Sequence, residues 1–126
     1  MLVLRPSPKS GCGIFTTRPI AKGEHVRLWQ KEDERFISNE EANADPDLRA
    51  ACDVHCVIVE GGFTCPSDFH RMSIGWYMNH SFNPNIASSA ELDWEFYAVR
   101  DIAADEELCC DYRTLSPFET VPDHYT

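Results

Sequence analysis

A polar segment near residue 80 is the strongest candidate for a ligand-binding or catalytic segment in this sequence. Asn79-His80-Ser81-Phe82-Asn83-Pro84-Asn85 contains three Asn, one His and one Ser. These side chains offer many hydrogen-bond donors and acceptors, so they could hold a polar ligand. The same composition also suits a surface loop, because Asn, Ser and Pro favour turns. Both interpretations stay open on this segment alone.

A phenol and a glycine-rich turn lie near opposite ends of the chain. Asp111-Tyr112 closes the run Glu107-Leu108-Cys109-Cys110, so a strand ending there could place a tyrosine beside a reactive centre. Ser10-Gly11-Cys12-Gly13 suits a tight turn, because glycines can take positive φ or let another group come close. Such a turn could bind a cofactor through its backbone. Both features also occur as ordinary structure, so neither decides the function by itself.

The cysteines do not match a known metal motif. The chain has 6 cysteines and no Cys-x-x-Cys. Cys52, Cys56, Cys65 and His70 could be drawn as a zinc site, but their spacing fits no common ligand pattern. We therefore predict buried free thiols and no metal, because a free cysteine packs as a small hydrophobic residue.

Short β-rich runs dominate the chain. Branched and aromatic residues predict strands at 2–4, 14–17, 25–29, 54–59, 95–99 and 107–112. The first should be an edge strand, because Pro6 and Pro8 follow it. No alternation of strands with helices is visible, which disfavours a Rossmann-type methyltransferase and favours a mainly β fold.

Two short helices are predicted. Ser38 and Glu41 match a capping box, so a helix should follow Ser38 and end before Pro46. A second helix could open at 66–68, with an apolar stripe packed in the core. The stripe consists of Phe69, Met72 and Trp76.

The composition predicts one acidic globular domain. The chain has 126 residues, 43% of them hydrophobic, and a net charge of −10, which suits a single domain. A nucleic-acid binder would need a basic face, so direct nucleic-acid binding is not expected. The acidic surface could attract a basic partner or could serve solubility alone. The sequence shows no signal peptide and no membrane span, so we expect an intracellular, soluble protein, cytoplasmic or, in a eukaryote, nuclear.

Taken in order, these segments resemble the SET domain family. Residues 11–24 are similar to its first motif, with a Gly-x-Gly turn, an apolar pair and Lys22-Gly23-Glu24. Residues 79–85 look like its Asn-His-Ser-x-x-Pro-Asn motif, and residues 100–112 look like its closing motif. The resemblance covers about residues 10–113, and three motifs in this order are specific.

The resemblance implies a single SET domain over residues 1–126, with a core at about 10–113. It implies a mainly β, β-clip-like fold of small sheets, in which the Asn-His-Ser and closing segments pack in a knot-like crossing. It also implies an enzyme that transfers a methyl group from S-adenosyl-L-methionine to a lysine of a protein substrate. A histone-like or other basic protein would suit the acidic charge. The tail at 114–126 would help to close the site, or a homodimer partner could supply that wall.

The resemblance also assigns site residues. Tyr112 would be catalytic, although we do not assign it as a general base, because an ordinary phenol has a pKa of about 10. The substrate channel would be lined by Trp29, Cys110 and Phe118. The cofactor would be bound by Ser10, Gly11, Cys12, Gly13, Tyr77, Asn79 and His80.

Two positions depart from the family pattern. Trp29 stands where the family often has the Tyr of Glu-Tyr-x-Gly. Cys110 stands where Phe or Tyr often tunes the number of methyl groups added, and its small side chain leads us to expect di- or trimethylation. These departures leave open an alternative, a catalytically inactive SET-fold module that binds a protein partner.

Overall fold

The N-terminal strands meet the C-terminal strand in one sheet. A computed structural model describes residues 1–29, 33–88 and 95–116. The sheet has the order β1-β2-β10-β7. Its strands are β1 (Leu2–Pro6), β2 (Cys12–Thr16), β7 (Asn79–His80) and β10 (Glu107–Cys110). The expected edge position of the first strand is confirmed, since β1 pairs only with β2 among the described residues.

Two three-stranded sheets make up the rest of the β structure in the part of the chain that the structure describes. One has the order β3-β9-β8 and the other β4-β6-β5, all antiparallel. Their strands are β3 (His25–Val26), β4 (Glu34–Ser38), β5 (Val57–Val59), β6 (Gly62–Pro66), β8 (Ile86–Ser88) and β9 (Phe96–Ala98). The fold is therefore mainly β and built from small sheets, as the sequence predicts.

The first predicted helix is confirmed, and an unpredicted helix follows it. Helix α1 (Asn39–Asn43) is capped by Ser38, whose side chain accepts a hydrogen bond from the backbone of Glu41. Helix α2 (Pro46–His55) occupies residues to which the sequence analysis assigned no element, apart from Val54 and His55, which it placed in a strand. Asp45 caps α2, and Pro46 fits its first turn because the proline nitrogen needs no hydrogen-bond partner there.

The predicted helix after residue 66 is wrong. Asp68 closes a turn by accepting a hydrogen bond from the backbone of His70, and only a 3-10 helix follows (Ile74–Tyr77). A short polar side chain that bonds its own backbone favours a turn as readily as a helix cap. A second 3-10 helix (Tyr112–Thr114) follows β10.

Two apolar clusters hold these elements together. The larger cluster joins the first two sheets and includes Ile14, Phe96 and Leu108. The smaller one packs β4 and β6 against the two helices and includes Ile37, Cys52, Phe63 and Cys65. Within the three described ranges, no helix is long and apolar enough to cross a membrane.

Candidate active site

The polar segment near residue 80 wraps around strand β10. β7 pairs with β10 in parallel, with Asn79 opposite Cys109 and His80 opposite Cys110. Asn85 then returns to β10, where its side chain accepts a hydrogen bond from the backbone of Cys109 at 2.9 Å and donates to the carbonyl of Glu107 at 2.7 Å. Since β10 also pairs with β2, it lies between the first and the central motifs. This is the crossing of the Asn-His-Ser and closing segments that the resemblance implies; it buries Asn79, His80 and Asn85, whereas Phe82 and Asn83 stay exposed.

Asn79 holds the glycine-rich turn. Its Nδ2 group donates to the carbonyls of Ser10 and Cys12, at 3.2 and 3.3 Å. The same nitrogen lies 2.9 Å from a carboxylate oxygen of Glu107, which fixes the amide from the opposite side. A Cβ on Gly13 would lie 2.2 Å from that oxygen. A glycine at position 13 therefore leaves the space that Glu107 and Asn79 occupy beside the turn.

His80 positions Tyr112. The imidazole is fully buried, and its Nδ1 accepts a hydrogen bond from the backbone N–H of Tyr112 at 3.0 Å. The Tyr112 hydroxyl donates to the carbonyl of Met78 at 2.7 Å. The tyrosine is thus attached at both ends to the segment that contains Asn79. Because Nδ1 accepts, the ring proton must lie on Nε2 in the neutral form.

Burial keeps His80 neutral. Desolvation lowers its pKa, although the nearby Asp111 carboxylate raises it in part. Asp111 is itself engaged by Arg113, whose hydrogen bonds hold the pKa of that carboxyl below its usual range. The acceptor role of Nδ1 is therefore compatible with neutral pH.

The glycine-rich turn, Asn79 and Tyr112 border a cavity of about 610 Å³. This volume lies within the range of about 300–1,000 Å³ that is usual for sites binding small molecules and cofactors. Its wall comes from the glycine-rich turn, Trp29, the end of α2 with β5, the segment around β7, and the start of the last 3-10 helix. The lining residues are Ser10, Gly11, Cys12, Trp29, Asp53, Val54, His55, Cys56, Val57, Ile58, Gly75, Trp76, Tyr77, Met78, Asn79, Tyr112 and Leu115.

Trp29 forms an aromatic part of this wall. Its ring meets Trp76 edge-on with centroids 5.9 Å apart and lies 5.0 Å from Phe96. A Cβ on Gly75 would come within 2.5 Å of the Trp29 ring, so a glycine is needed there. The indole therefore has a fixed place beside the cavity.

Most of the predicted site residues meet at this cavity. It is lined by Ser10, Gly11, Cys12, Trp29, Tyr77, Asn79 and Tyr112. Gly13 and His80 lie behind the wall and position their neighbours. Cys110 is fully buried in the larger apolar cluster and does not line the cavity, so the expectation of di- or trimethylation gains no support from its position. Phe118 and the predicted closing tail lie outside the described residues, apart from 114–116.

The wall from residue 53 to 58 is missing from the sequence-based prediction. Within it, His55 packs its ring against Tyr77 with centroids 5.3 Å apart, and burial lowers its pKa. No local motif marks this segment. The placement follows from α2, which the sequence analysis did not predict.

The fold and the site together define a mainly β protein in which a chain crossing positions a tyrosine beside a cofactor-sized cavity. A family model described as the SET domain matches residues 11–113, and the chain belongs to the SET domain family. The fold is shared with a crystal structure from Plasmodium falciparum that is described as a candidate histone methyltransferase. The two align with a TM-score of 0.55 and 22% identity, over 89% of this chain and 96% of the other. Among curated proteins, no sequence matches significantly.

Proposed function

We propose that this SET domain transfers a methyl group from S-adenosyl-L-methionine to a lysine side chain of a protein. One observation carries the proposal. Hydrogen bonds to Met78 and His80 anchor Tyr112 beside a cavity that the glycine-rich turn also lines. Family membership supports the same reaction class.

The residues around the cavity fit this cofactor. Gly11 has a φ of 46°, and no atom lies within 4 Å of the place where its Cβ would be, so the turn offers backbone without a side chain. Trp29, Trp76 and Tyr77 provide aromatic surface for a flat base and for a positive sulfonium. Asn79 fixes the turn from the protein side.

The contribution of the chain is mainly positioning. When bound, S-adenosyl-L-methionine would supply a methyl group on a positive sulfur: a neutral amine would attack the methyl carbon in line, the carbon–sulfur bond would break, and S-adenosylhomocysteine would leave. Holding reacting groups in such a geometry supplies a large part of the rate. The Tyr112 proton is engaged by the Met78 carbonyl, so the phenol oxygen acts as an acceptor that can orient the amine. A lysine has an ordinary pKa of about 10.4, and desolvation beside a positive charge lowers it toward the neutral form.

The acidic charge of the chain supports a basic substrate. With 11 Lys and Arg against 21 Asp and Glu, the net charge is −10. Charge of this sign concentrates a Lys-rich protein near the surface. Histones and other Lys-rich proteins are therefore the substrates to test first.

Tyr112→Phe tests the catalytic role of the tyrosine. The change removes the hydroxyl and its bond to Met78 while the ring remains. Transfer to histones, followed by mass spectrometry, should fall about 100-fold in kcat, the scale of a misplaced reacting group. Calorimetry with S-adenosylhomocysteine should show that cofactor binding is retained.

Tyr97→Phe is the matched control, because Tyr97 is 39% exposed on β9 and does not line the cavity. It should leave kcat unchanged. A Tyr112→Phe protein with the kcat of the native chain would contradict the assignment. If the native chain binds S-adenosylhomocysteine but methylates none of these proteins, the inactive binding module is favoured instead.

A further inference from the structure

Three cysteines converge behind the cavity wall, and of these only Cys56 also lines the cavity among the described residues. The Sγ atoms of Cys52, Cys56 and Cys65 all lie within 4.8 Å of one another, and all three are free thiols. Cys52 and Cys65 are buried, whereas Cys56 is partly buried. Their sequence spacing alone did not predict this meeting.

The secondary structure explains the convergence. Cys52 and Cys56 lie one helical turn apart at the end of α2, where the N–H of Cys56 donates to the carbonyl of Cys52. Residues four apart lie on the same face of a helix. Cys65 projects from β6, which packs against that face in the smaller apolar cluster.

The distance between the Cys52 and Cys65 sulfurs matches metal coordination. A tetrahedral zinc site with Zn–S bonds of about 2.3 Å has edges of about 3.8 Å between sulfurs. The Sγ atoms of Cys52 and Cys65 are 3.7 Å apart. Three thiolates would bring more negative charge than one divalent cation offsets. Arg35 lies directly opposite Cys65 in the pairing of β4 with β6, and its positive charge acts on that sulfur.

Within the described ranges, no histidine completes this set. The His70 ring is 97% exposed, and the His55 ring packs on Tyr77. A fourth ligand would therefore come from solvent on the partly buried side of Cys56. Soft thiolate sets of this kind select thiophilic cations such as Zn²⁺ or Cu⁺ over hard cations.

We infer that Cys52, Cys56 and Cys65 form a binding site for a thiophilic d10 metal ion, with Zn²⁺ as the ion to test. Binding replaces each S–H proton by a metal–sulfur bond and releases the proton to solvent. The metal would join the end of α2 to β6. Since residues 53–58 line the cavity, it would also support that wall. The site does not depend on the proposed methyl transfer.

Metal uptake by the full chain tests the inference. The reduced, metal-free protein is titrated with Zn²⁺ or with Co²⁺, which reports thiolate coordination through a near-ultraviolet charge-transfer band. One equivalent should bind, the band should appear, and Zn²⁺ should raise Tm. In the native chain Zn²⁺ should also protect the partly buried Cys56 thiol from a disulfide reagent, a readout that needs no variant.

Single variants locate the site. Cys56→Ser and Cys65→Ala should abolish both the cobalt band and the rise in Tm. Cys109→Ala is the matched control, because Cys109 is a buried cysteine outside the cluster, and it should retain both. The inference is overturned if the native reduced chain shows neither the band nor thiol protection. It is also overturned if the band persists in both cluster variants.

Discussion

At the scale of residues, the site depends on a carboxylate held behind the glycine-rich turn. Ser7 donates to Glu107 at 2.8 Å, and Asn79 donates to it at 2.9 Å. Glu107 therefore sets the position of the amide that holds the turn. Ser7, Glu107 and Asn79 therefore maintain the shape of the cavity, and this role is separate from the chemical step.

Gly13→Ala should disturb this arrangement. The added Cβ would lie 2.2 Å from Glu107 Oε2 and 3.1 Å from Asn79 Nδ2. The carboxylate must move and lose its bond to Asn79, which should lower the free energy of unfolding by about 1–3 kcal/mol. Urea denaturation measures the change, and calorimetry with S-adenosylhomocysteine should show weaker binding.

The Glu107→Ala variant tests whether a clash with the Glu107 carboxylate causes the loss of stability in Gly13→Ala. If the clash with the carboxylate dominates, Gly13→Ala should cost less in the Glu107→Ala protein than in the native chain. An equal cost in both backgrounds would contradict this explanation.

At the scale of elements, the crossing depends on Asn85. Its buried side chain satisfies the N–H of Cys109 and the carbonyl of Glu107, so it replaces a neighbouring strand at that point of β10. Asn85→Ala leaves both groups without this partner, and each buried group costs about 1–3 kcal/mol.

We therefore expect Asn85→Ala to lower the free energy of unfolding by about 2–6 kcal/mol in urea denaturation. The control is Asn83→Ala, because Asn83 is exposed in the same loop. It should stay within about 0.5 kcal/mol of the native chain. Similar losses for the two variants would show that the side chain of Asn85 does not hold β10.

The elements also show what local sequence can predict. The cap at Ser38 depends on residues three apart, and that prediction is confirmed. The sequence analysis used Pro46 only as a limit for the first helix, whereas Pro46 is also the first residue of α2, which Asp45 caps. β7 consists of only two residues, and its pairing with β10 is a contact between distant parts of the chain. The cavity wall at 53–58 was missed for the same reason, because only tertiary packing brings it to the turn.

At the scale of the whole molecule, His80 couples stability to pH. Burial lowers its folded-state pKa below the ordinary 6.5, against the partial effect of Asp111 and with smaller lowering by Arg113 and Lys9. Just below pH 6.5 the unfolded chain therefore binds a proton that the folded chain does not. The contribution of His80 is complete above about pH 6.5 and is lost as the pH falls toward the folded-state pKa.

His80→Asn should reduce this loss, because Asn retains an acceptor for Tyr112 but does not titrate. Free energies of unfolding at pH 7.5 and 5.5 should differ less in this variant than in the native chain. His70→Asn is the control, since that side chain is 97% exposed, and its pH dependence should equal that of the native chain. Equal slopes for His80→Asn and the native chain would rule out His80 as the cause.

Net charge acts on the proposed substrate at the same scale. Because the chain carries a charge of −10, attraction should favour the approach of a Lys-rich peptide. Raising the ionic strength from about 0.01 M to about 0.1 M shortens the screening length from about 30 Å to about 10 Å. The KM for that peptide should rise several-fold, with kcat unchanged, since screening weakens association and does not change the position of Tyr112.

A peptide with the same target lysine between neutral residues should show a much smaller rise in KM. If both peptides respond equally to salt, the acidic surface does not select the substrate, and recognition must lie in the cavity itself.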